Sequence, residues 1–143
     1  MSFCGKPDDF YHTYTTIIMV RSILIAGFGG FIGTVLRFLL SRVIQTHSLS
    51  LFPWSTFLIN TAGCLMIGFF YGIAEKGNLM PANLRLFLTV GLCGGFTTFS
   101  TFSNDALMLI QGREWLRVAL YASLSLFLGL AAVYFGKIIS KLF

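Results

Sequence analysis

The residues with the clearest chemical potential form one short segment that joins glycines, hydroxyls and aromatic rings. It reads Gly94-Gly95-Phe96-Thr97-Thr98-Phe99-Ser100-Thr101-Phe102 and carries no charge. Two adjacent glycines followed by two β-branched threonines weaken an α-helix. Inside a membrane, carbonyls freed by such a break can coordinate an ion. Close packing of Gly91 and Gly95 as a small-xxx-small pair is the alternative interpretation.

The rings and hydroxyls of this segment suit a small anion. Phe99 and Phe102 are three residues apart and so share a helix face, while Ser100 and Thr101 place hydroxyls on the adjoining faces. A phenyl ring has a positive edge, so ring edges beside hydroxyl donors favour an anion. The alternative is that the rings face lipid.

Four further polar residues lie in the other apolar stretches of the chain. Asn60 is either a pore-lining donor or a helix–helix hydrogen-bonding group, and Tyr121 and Ser125, four residues apart, form either a polar track or a tight packing face. Arg37 either extends to the membrane surface or attracts an anion at a pore mouth.

The composition indicates an integral membrane protein. Hydrophobic residues make up 56% of the 143 residues and charged residues 10%, against roughly 25% charged in an average globular protein. The mean hydropathy is +0.82. The net charge of +5 comes from basic residues that stand singly at the ends of apolar stretches. That placement is typical of membrane anchors, so we expect a lipid bilayer as partner and no nucleic acid.

Four apolar stretches, roughly 22–43, 54–74, 84–110 and 118–136, have the length of membrane-spanning helices. No alternating pattern of a β-barrel is present, so we predict an all-α membrane protein with four transmembrane helices. Residues 1–20 are predicted to be a dispensable N-terminal extension and residues 21–143 the membrane domain.

The basic residues give only a weak orientation preference. Four spans place both termini on one side, where six basic residues lie, against three on the other side. The six are Lys6, Arg21, Lys76, Arg85, Lys137 and Lys141, and the three are Arg42, Arg113 and Arg117. The positive-inside rule thus weakly favours cytoplasmic termini, and insertion in both orientations is compatible with this bias.

Several other functions are disfavoured by the residues present. The three cysteines have irregular spacing and the two histidines lie outside the apolar stretches, so neither a disulfide framework nor a zinc site is expected. No span contains a histidine or lysine that could activate a serine, so we do not expect an enzyme. Gly27-x-Gly29-Gly30-x-x-Gly33 lies inside a predicted span, where we interpret Gly29 and Gly33 as a helix-packing seam rather than a dinucleotide site.

A small proton-coupled multidrug exporter is the alternative that shares this size and span number. Proton exchange of that kind needs a carboxylate embedded in the membrane. The five acidic residues all lie away from the span centres; they are Asp8, Asp9, Glu75, Asp105 and Glu114.

The segment Gly94–Phe102 strongly resembles the signature of the CrcB/Fluc fluoride channels. Supporting matches are Gly29-Gly30-x-x-Gly33-x-x-x-Arg37 and Thr56-x-x-x-Asn60-x-x-Gly63. The resemblance covers about residues 20–140, so it includes all four predicted spans.

The resemblance implies a passive channel in the bacterial inner membrane that exports fluoride from the cytoplasm. It further implies an antiparallel, dual-topology homodimer with two pores and a third helix broken at mid-membrane. A structural Na⁺ at the dimer centre would be held by the backbone carbonyls of Gly94 and Thr97. The implied pore residues, with Arg37 as a pore-mouth candidate, are Asn60, Phe99, Ser100, Thr101, Phe102, Tyr121 and Ser125. Gly129 stands where a further hydroxyl of this track is expected.

Overall fold

The computed structural model describes residues 7–48, 50–77 and 79–142, with side chains from residue 14 onward. All regular structure in these ranges is helical, and four helical stretches are long and apolar enough to cross a membrane. The predicted all-α architecture with four spans is therefore confirmed for the described part of the chain.

The first span is one long helix, and the third is a series of short helical pieces. The elements are α1 (Pro7–His47), α2 (Trp54–Ala74), α3 (Ala82–Arg85), a π-helical segment (Leu86–Cys93), α4 (Gly94–Phe96), α5 (Phe99–Gln111) and α6 (Trp115–Ser140). The third span runs from α3 to α5, over Ala82–Gln111.

Helix α1 begins far earlier than the predicted first span, which starts near residue 22. It continues without interruption through residues 17–21, because Ile17-Ile18-Met19-Val20 extends the apolar helical pattern toward the N-terminus. Proline is favoured in the first turn of a helix, where its missing N–H costs no hydrogen bond, and Pro7 occupies that turn. Residues 1–6 of the predicted extension lie outside the described residues.

Helix α1 packs on the third span through glycines. A Cβ on Gly29 would meet the Phe87 carbonyl oxygen, and one on Gly33 would meet backbone atoms of Leu92 and Phe96. The predicted seam of Gly29 and Gly33 is confirmed, since only hydrogen side chains permit this approach.

A second glycine seam joins α2 and α6. A Cβ on Gly68 would meet the backbone of Val133, and one on Gly136 would meet the backbone of Leu65 and Phe69. Both helices are therefore in close backbone contact toward their C-terminal ends, and this contact fixes the position of Asn60 on α2 relative to Ser125 on α6.

The turn between α5 and α6 contains an arginine with a left-handed backbone. Arg113 has φ 58°, and the Glu114 N–H donates to the Leu109 carbonyl over 2.9 Å, as in a Schellman helix end. Glycine is the usual residue at this position, so Arg113 is strained here.

Candidate functional site

The central feature of the site is a pair of extended residues between two helical pieces. Thr97 has ψ 156° and Thr98 has φ −151° and ψ 122°, so the chain leaves α4 at Phe96 and re-enters a helix at Phe99. The Thr98 hydroxyl then accepts the Thr101 N–H over 3.3 Å and serves as the N-cap of α5.

Asn60 holds this extended pair in place. Its Nδ2 donates to the Thr98 carbonyl over 3.1 Å, and its Oδ1 accepts the Thr98 N–H over 2.9 Å. One side-chain amide thus bonds to both the N–H and the carbonyl of Thr98. In an extended chain these groups would otherwise need partners on a neighbouring strand. Asn60 is therefore an interhelical hydrogen-bonding group that also lines a cavity, and its role as a pore donor stays a prediction.

That cavity, which we call the central cavity, is an open space of ≈ 500 Å³ between α2, the third span and α6. It brings together four of the predicted pore residues. Its lining consists of Asn60, Gly63, Cys64, Ile67, Cys93, Thr97, Thr98, Phe99, Phe102, Ser125 and Leu126.

Ser125 contributes an unpaired hydroxyl to the central cavity. Its Oγ is buried and has no hydrogen-bond partner among the described residues. A buried hydroxyl without a partner costs about 1–3 kcal/mol, so a hydrogen-bond acceptor that reached this oxygen would recover that cost.

The two phenylalanines differ in their surroundings. Phe99 is 79% exposed, whereas Phe102 is half-buried against Tyr121, with ring centroids 5.0 Å apart. The centroids of Phe99 and Phe102 are 5.7 Å apart and their planes are tilted by 32°. The rings therefore share the face that their spacing predicts.

Tyr121 lies beyond Phe102 rather than in the central cavity. It is 0% exposed, and its hydroxyl donates to Asp105 Oδ2 over 3.4 Å. Asp105 and Thr101 line a second cavity of ≈ 220 Å³, which we call the polar cavity. The remaining lining of the polar cavity is mostly polar and comes from residues 41–56.

The predicted pore residues therefore do not all line one cavity. Ser125 lines the central cavity and Thr101 lines the polar cavity, while Tyr121, the other member of the predicted hydroxyl track, packs against Phe102. Ser100 is exposed, and its Oγ lies 2.9 Å from the Thr98 hydroxyl. Sequence reasoning overlooked Thr98 and Asp105 as site residues, although Asp105 is the first charge after the segment that begins at Gly94.

The side chain of Arg37, on α1, contacts the backbone of α4. Its Nε donates to the Gly95 carbonyl over 3.3 Å, and the Thr34 hydroxyl donates to the same oxygen over 3.4 Å. Because α4 ends one residue later, the Gly95 carbonyl lacks the helical N–H that it would have in a continuous helix. Arg37 and Thr34 supply that missing donor, and the pore-mouth role of Arg37 stays a prediction.

Gly94 lies on an open face of the third span. It is exposed, and a Cβ placed on it would have no heavy atom within 4 Å. Gly91 and Gly95, by contrast, pack against the backbone of α1 at Ala26 and Gly30. The packing interpretation therefore holds for Gly91 and Gly95, while Gly94 stays accessible.

Comparison with known proteins identifies the family. Residues 24–137 match the family described as "CrcB-like protein, Camphor Resistance (CrcB)". The chain is 48% identical over 122 residues to a fluoride-specific ion channel FluC of Flavobacterium psychrophilum, covering 85% of this chain and 98% of that protein. It is 43% identical over 127 residues to a FluC of Bacteroides fragilis, covering 87% and 99%. The FluC of Azobacteroides pseudotrichonymphae is 39% identical over 125 residues, covering 87% and 100%. The chain belongs to the CrcB family and is a multi-pass bacterial membrane protein.

Proposed function

Given this family membership, we propose that the chain is a fluoride-selective channel that lets fluoride leave the cytoplasm passively. The observation that carries the proposal is the central cavity, where the Asn60 amide, the Ser125 hydroxyl and the rings of Phe99 and Phe102 meet without a fixed charge. The relatives named above are fluoride-specific channels, and this lining provides donors for an anion.

Fluoride would be held by neutral donors that replace its hydration shell. A side-chain amide nitrogen carries two hydrogens, so the bond from Asn60 to Thr98 leaves one for the anion. The buried Ser125 hydroxyl supplies a second donor, and the positive edges of the phenyl rings supply further weak attraction. Neutral donors bind a monovalent anion without trapping it, which conduction requires.

The multidrug exporter finds no support in these comparisons. Proton-coupled export would also need a free carboxylate embedded in the membrane. Asp105 is the acid beside the site, and its carboxylate accepts a hydrogen bond from the Tyr121 hydroxyl. A passive channel is therefore favoured over an exporter.

The proposed assembly is an antiparallel, dual-topology homodimer with two pores. One chain leaves Phe99 79% exposed beside the polar Thr98 and Ser100, an arrangement that suits a protein interface better than lipid. The open face at Gly94 lies on the same span. A second copy would cover both features and complete the wall of each pore.

We further propose that the third span is broken at mid-membrane and that the freed carbonyls of Gly94 and Thr97 would hold a structural Na⁺. In a continuous helix the carbonyls of Gly94 and Thr97 would accept the N–H groups of Thr98 and Thr101. Those N–H groups instead donate to Asn60 Oδ1 and to the Thr98 hydroxyl.

The residues present fit such an ion. Arg37 and Thr34 occupy the Gly95 carbonyl between the two ligands, so Gly94 and Thr97 keep carbonyl oxygens for a cation. Hard oxygen ligands without a carboxylate suit a monovalent cation. Bound there, Na⁺ would supply positive charge that ties the two subunits together, and it would not be transported.

Growth in fluoride tests the proposed export. Expression of the chain in a bacterium that lacks its own fluoride exporter should restore growth in fluoride medium. A Phe102→Ile variant expressed at the same level is the matched control and should fail to restore it. Equal growth with and without the wild-type chain in the membrane contradicts the proposal.

A further inference from the structure

Two thiols line the central cavity and have no part in the proposed conduction. Cys64 is half-buried on α2, and Cys93 ends the π-helical segment with 1% of its surface exposed. Both line the same ≈ 500 Å³ space as Asn60 and Ser125. Neither forms a disulfide in the structure, so both sulfurs are available for other bonds.

The packing of α2 on the third span places the two cysteines at the same level. Asn60 pairs with Thr98, and one turn later Gly63 lies against the Thr97 side chain. Helix α2 and the third span are therefore antiparallel, so later residues of α2 lie beside earlier residues of the third span. The next residue of α2, Cys64, consequently lies opposite the turn that precedes Thr97, which begins at Cys93.

The Cys64 thiol lies beside Gly129 on α6. A Cβ placed on Gly129 would lie 3.5 Å from Cys64 Sγ, an ordinary van der Waals contact. The sulfur is therefore directed toward α6 at the level of Gly129. It lies one helical turn beyond Ser125, whose hydroxyl has no partner in the part of the chain that the structure describes.

We infer that Cys64 and Cys93 together form a binding site for a soft, two-coordinate metal cation in the wall of the central cavity. Thiolates select soft metal ions. No group of three or more His, Cys, Asp or Glu side chains occurs in the part of the chain that the structure describes, so the four-ligand geometry of zinc is not available. Two cysteines that line one cavity can supply the two ligands of linear coordination.

The charge balance favours a divalent cation of this class. Hg²⁺ forms two metal–sulfur bonds, the two S–H bonds break, and two protons leave to water. The product is neutral, which matters because a net charge at membrane depth is costly. Bound Hg²⁺ would fill the space between Asn60 and Ser125 and so block the anion route; this consequence, unlike binding itself, rests on the proposed function.

The two cysteines differ in their exposure, and this difference predicts the order in which they react with the cation. Cys64 is half-buried whereas Cys93 is almost fully enclosed. The cation should therefore bind Cys64 first and be captured by Cys93 second. A Cys93→Ser variant should retain a weak one-sulfur adduct, whereas a Cys64→Ser variant should react slowly or not at all.

Titration of the purified protein with mercuric nitrate tests the site. The background is Cys4→Ser, which removes the third thiol of the chain. We expect one Hg²⁺ bound per chain with the loss of two titratable thiols, and the ultraviolet sulfur-to-metal absorption of a dithiolate. Loss of two thiols to two separate Hg²⁺ ions, or no loss in the folded protein, would overturn the inference.

Fluoride efflux from liposomes gives the second readout. Hg²⁺ should block efflux in the Cys4→Ser background, dithiothreitol should restore it, and Cys64→Ser should be insensitive. Block that persists undiminished in Cys64→Ser would overturn the inference. Two-sulfur binding in a protein that conducts no fluoride would contradict the proposed function and leave the metal site standing.

Discussion

At the level of single residues, Asn60 connects the extended backbone of the third span with the central cavity. Its amide bonds to both backbone groups of Thr98 and also lines the central cavity. The sequence predicts Asn60 as either a pore donor or an interhelical bond, because periodicity alone does not give the partner of a side chain. The partner depends on the extended backbone of Thr98, which is set by tertiary contacts.

Replacement of Asn60 by aspartate should abolish conduction while the fold is retained. Aspartate keeps the oxygen that accepts the Thr98 N–H but places a potential negative charge beside an anion. Two unit charges about 4 Å apart at an effective dielectric of 20 repel by about 4 kcal/mol, roughly a thousandfold in occupancy. Fluoride efflux measures the loss, and size exclusion verifies assembly. A folded variant with full efflux would exclude Asn60 from the pore.

Replacement of Phe99 or Phe102 by isoleucine should nearly abolish fluoride flux. Isoleucine keeps the apolar character but removes the ring edge that attracts the anion. Phe127→Ile on α6 is the matched control, since Phe127 is 72% exposed and lies outside the lining of both cavities. Normal efflux in both pore variants means that these rings only face lipid or packing neighbours.

At the level of elements, the apolar stretches predict four helices, but the π-helical segment was not foreseeable. The segment from Leu86 to Cys93 has an ordinary apolar composition, which does not distinguish a π-helix from an α-helix. Helix α1 also begins earlier than the predicted first span, because the helix continues through the charged residue Arg21 to Pro7. Glycine spacing, in contrast, correctly predicted the seam at Gly29 and Gly33.

The Arg113 turn gives an element-level stability prediction. Arg113→Gly should stabilise the protein by about 1 kcal/mol, because a left-handed conformation costs an L-residue roughly 1–2 kcal/mol and glycine gives back part of this through its flexibility. Arg113→Ala is the control and should give no gain, since alanine is strained there as well. Thermal unfolding in detergent measures both variants, and equal stability of the two variants contradicts the explanation.

At the level of the whole molecule, the proposed homodimer would cover two features that one chain leaves open. The exposed Phe99 and the open face at Gly94 lie on the same span. The weak bias of the basic residues is compatible with insertion in both orientations. The sequence predicts this arrangement only through family resemblance, because span composition alone does not distinguish a lipid-facing ring from an interface ring.

Sodium should stabilise the assembled protein. Since an ion that binds only the native state stabilises it by mass action, the Tm should rise with NaCl concentration but not with N-methylglucamine chloride. Thr97→Val keeps the carbonyl ligand and should keep the response. Identical Tm values in the two salts would contradict a structural Na⁺ at Gly94 and Thr97.

Selective fluoride conduction by the chain can be measured as anion efflux from liposomes that hold the purified wild-type protein. Parallel liposomes are loaded with fluoride or chloride, and efflux is followed with ion-selective electrodes under the same potential. We expect rapid fluoride efflux and chloride efflux no faster than from protein-free liposomes. Equal efflux of the two anions, or no fluoride efflux from protein that is folded and assembled, would contradict it.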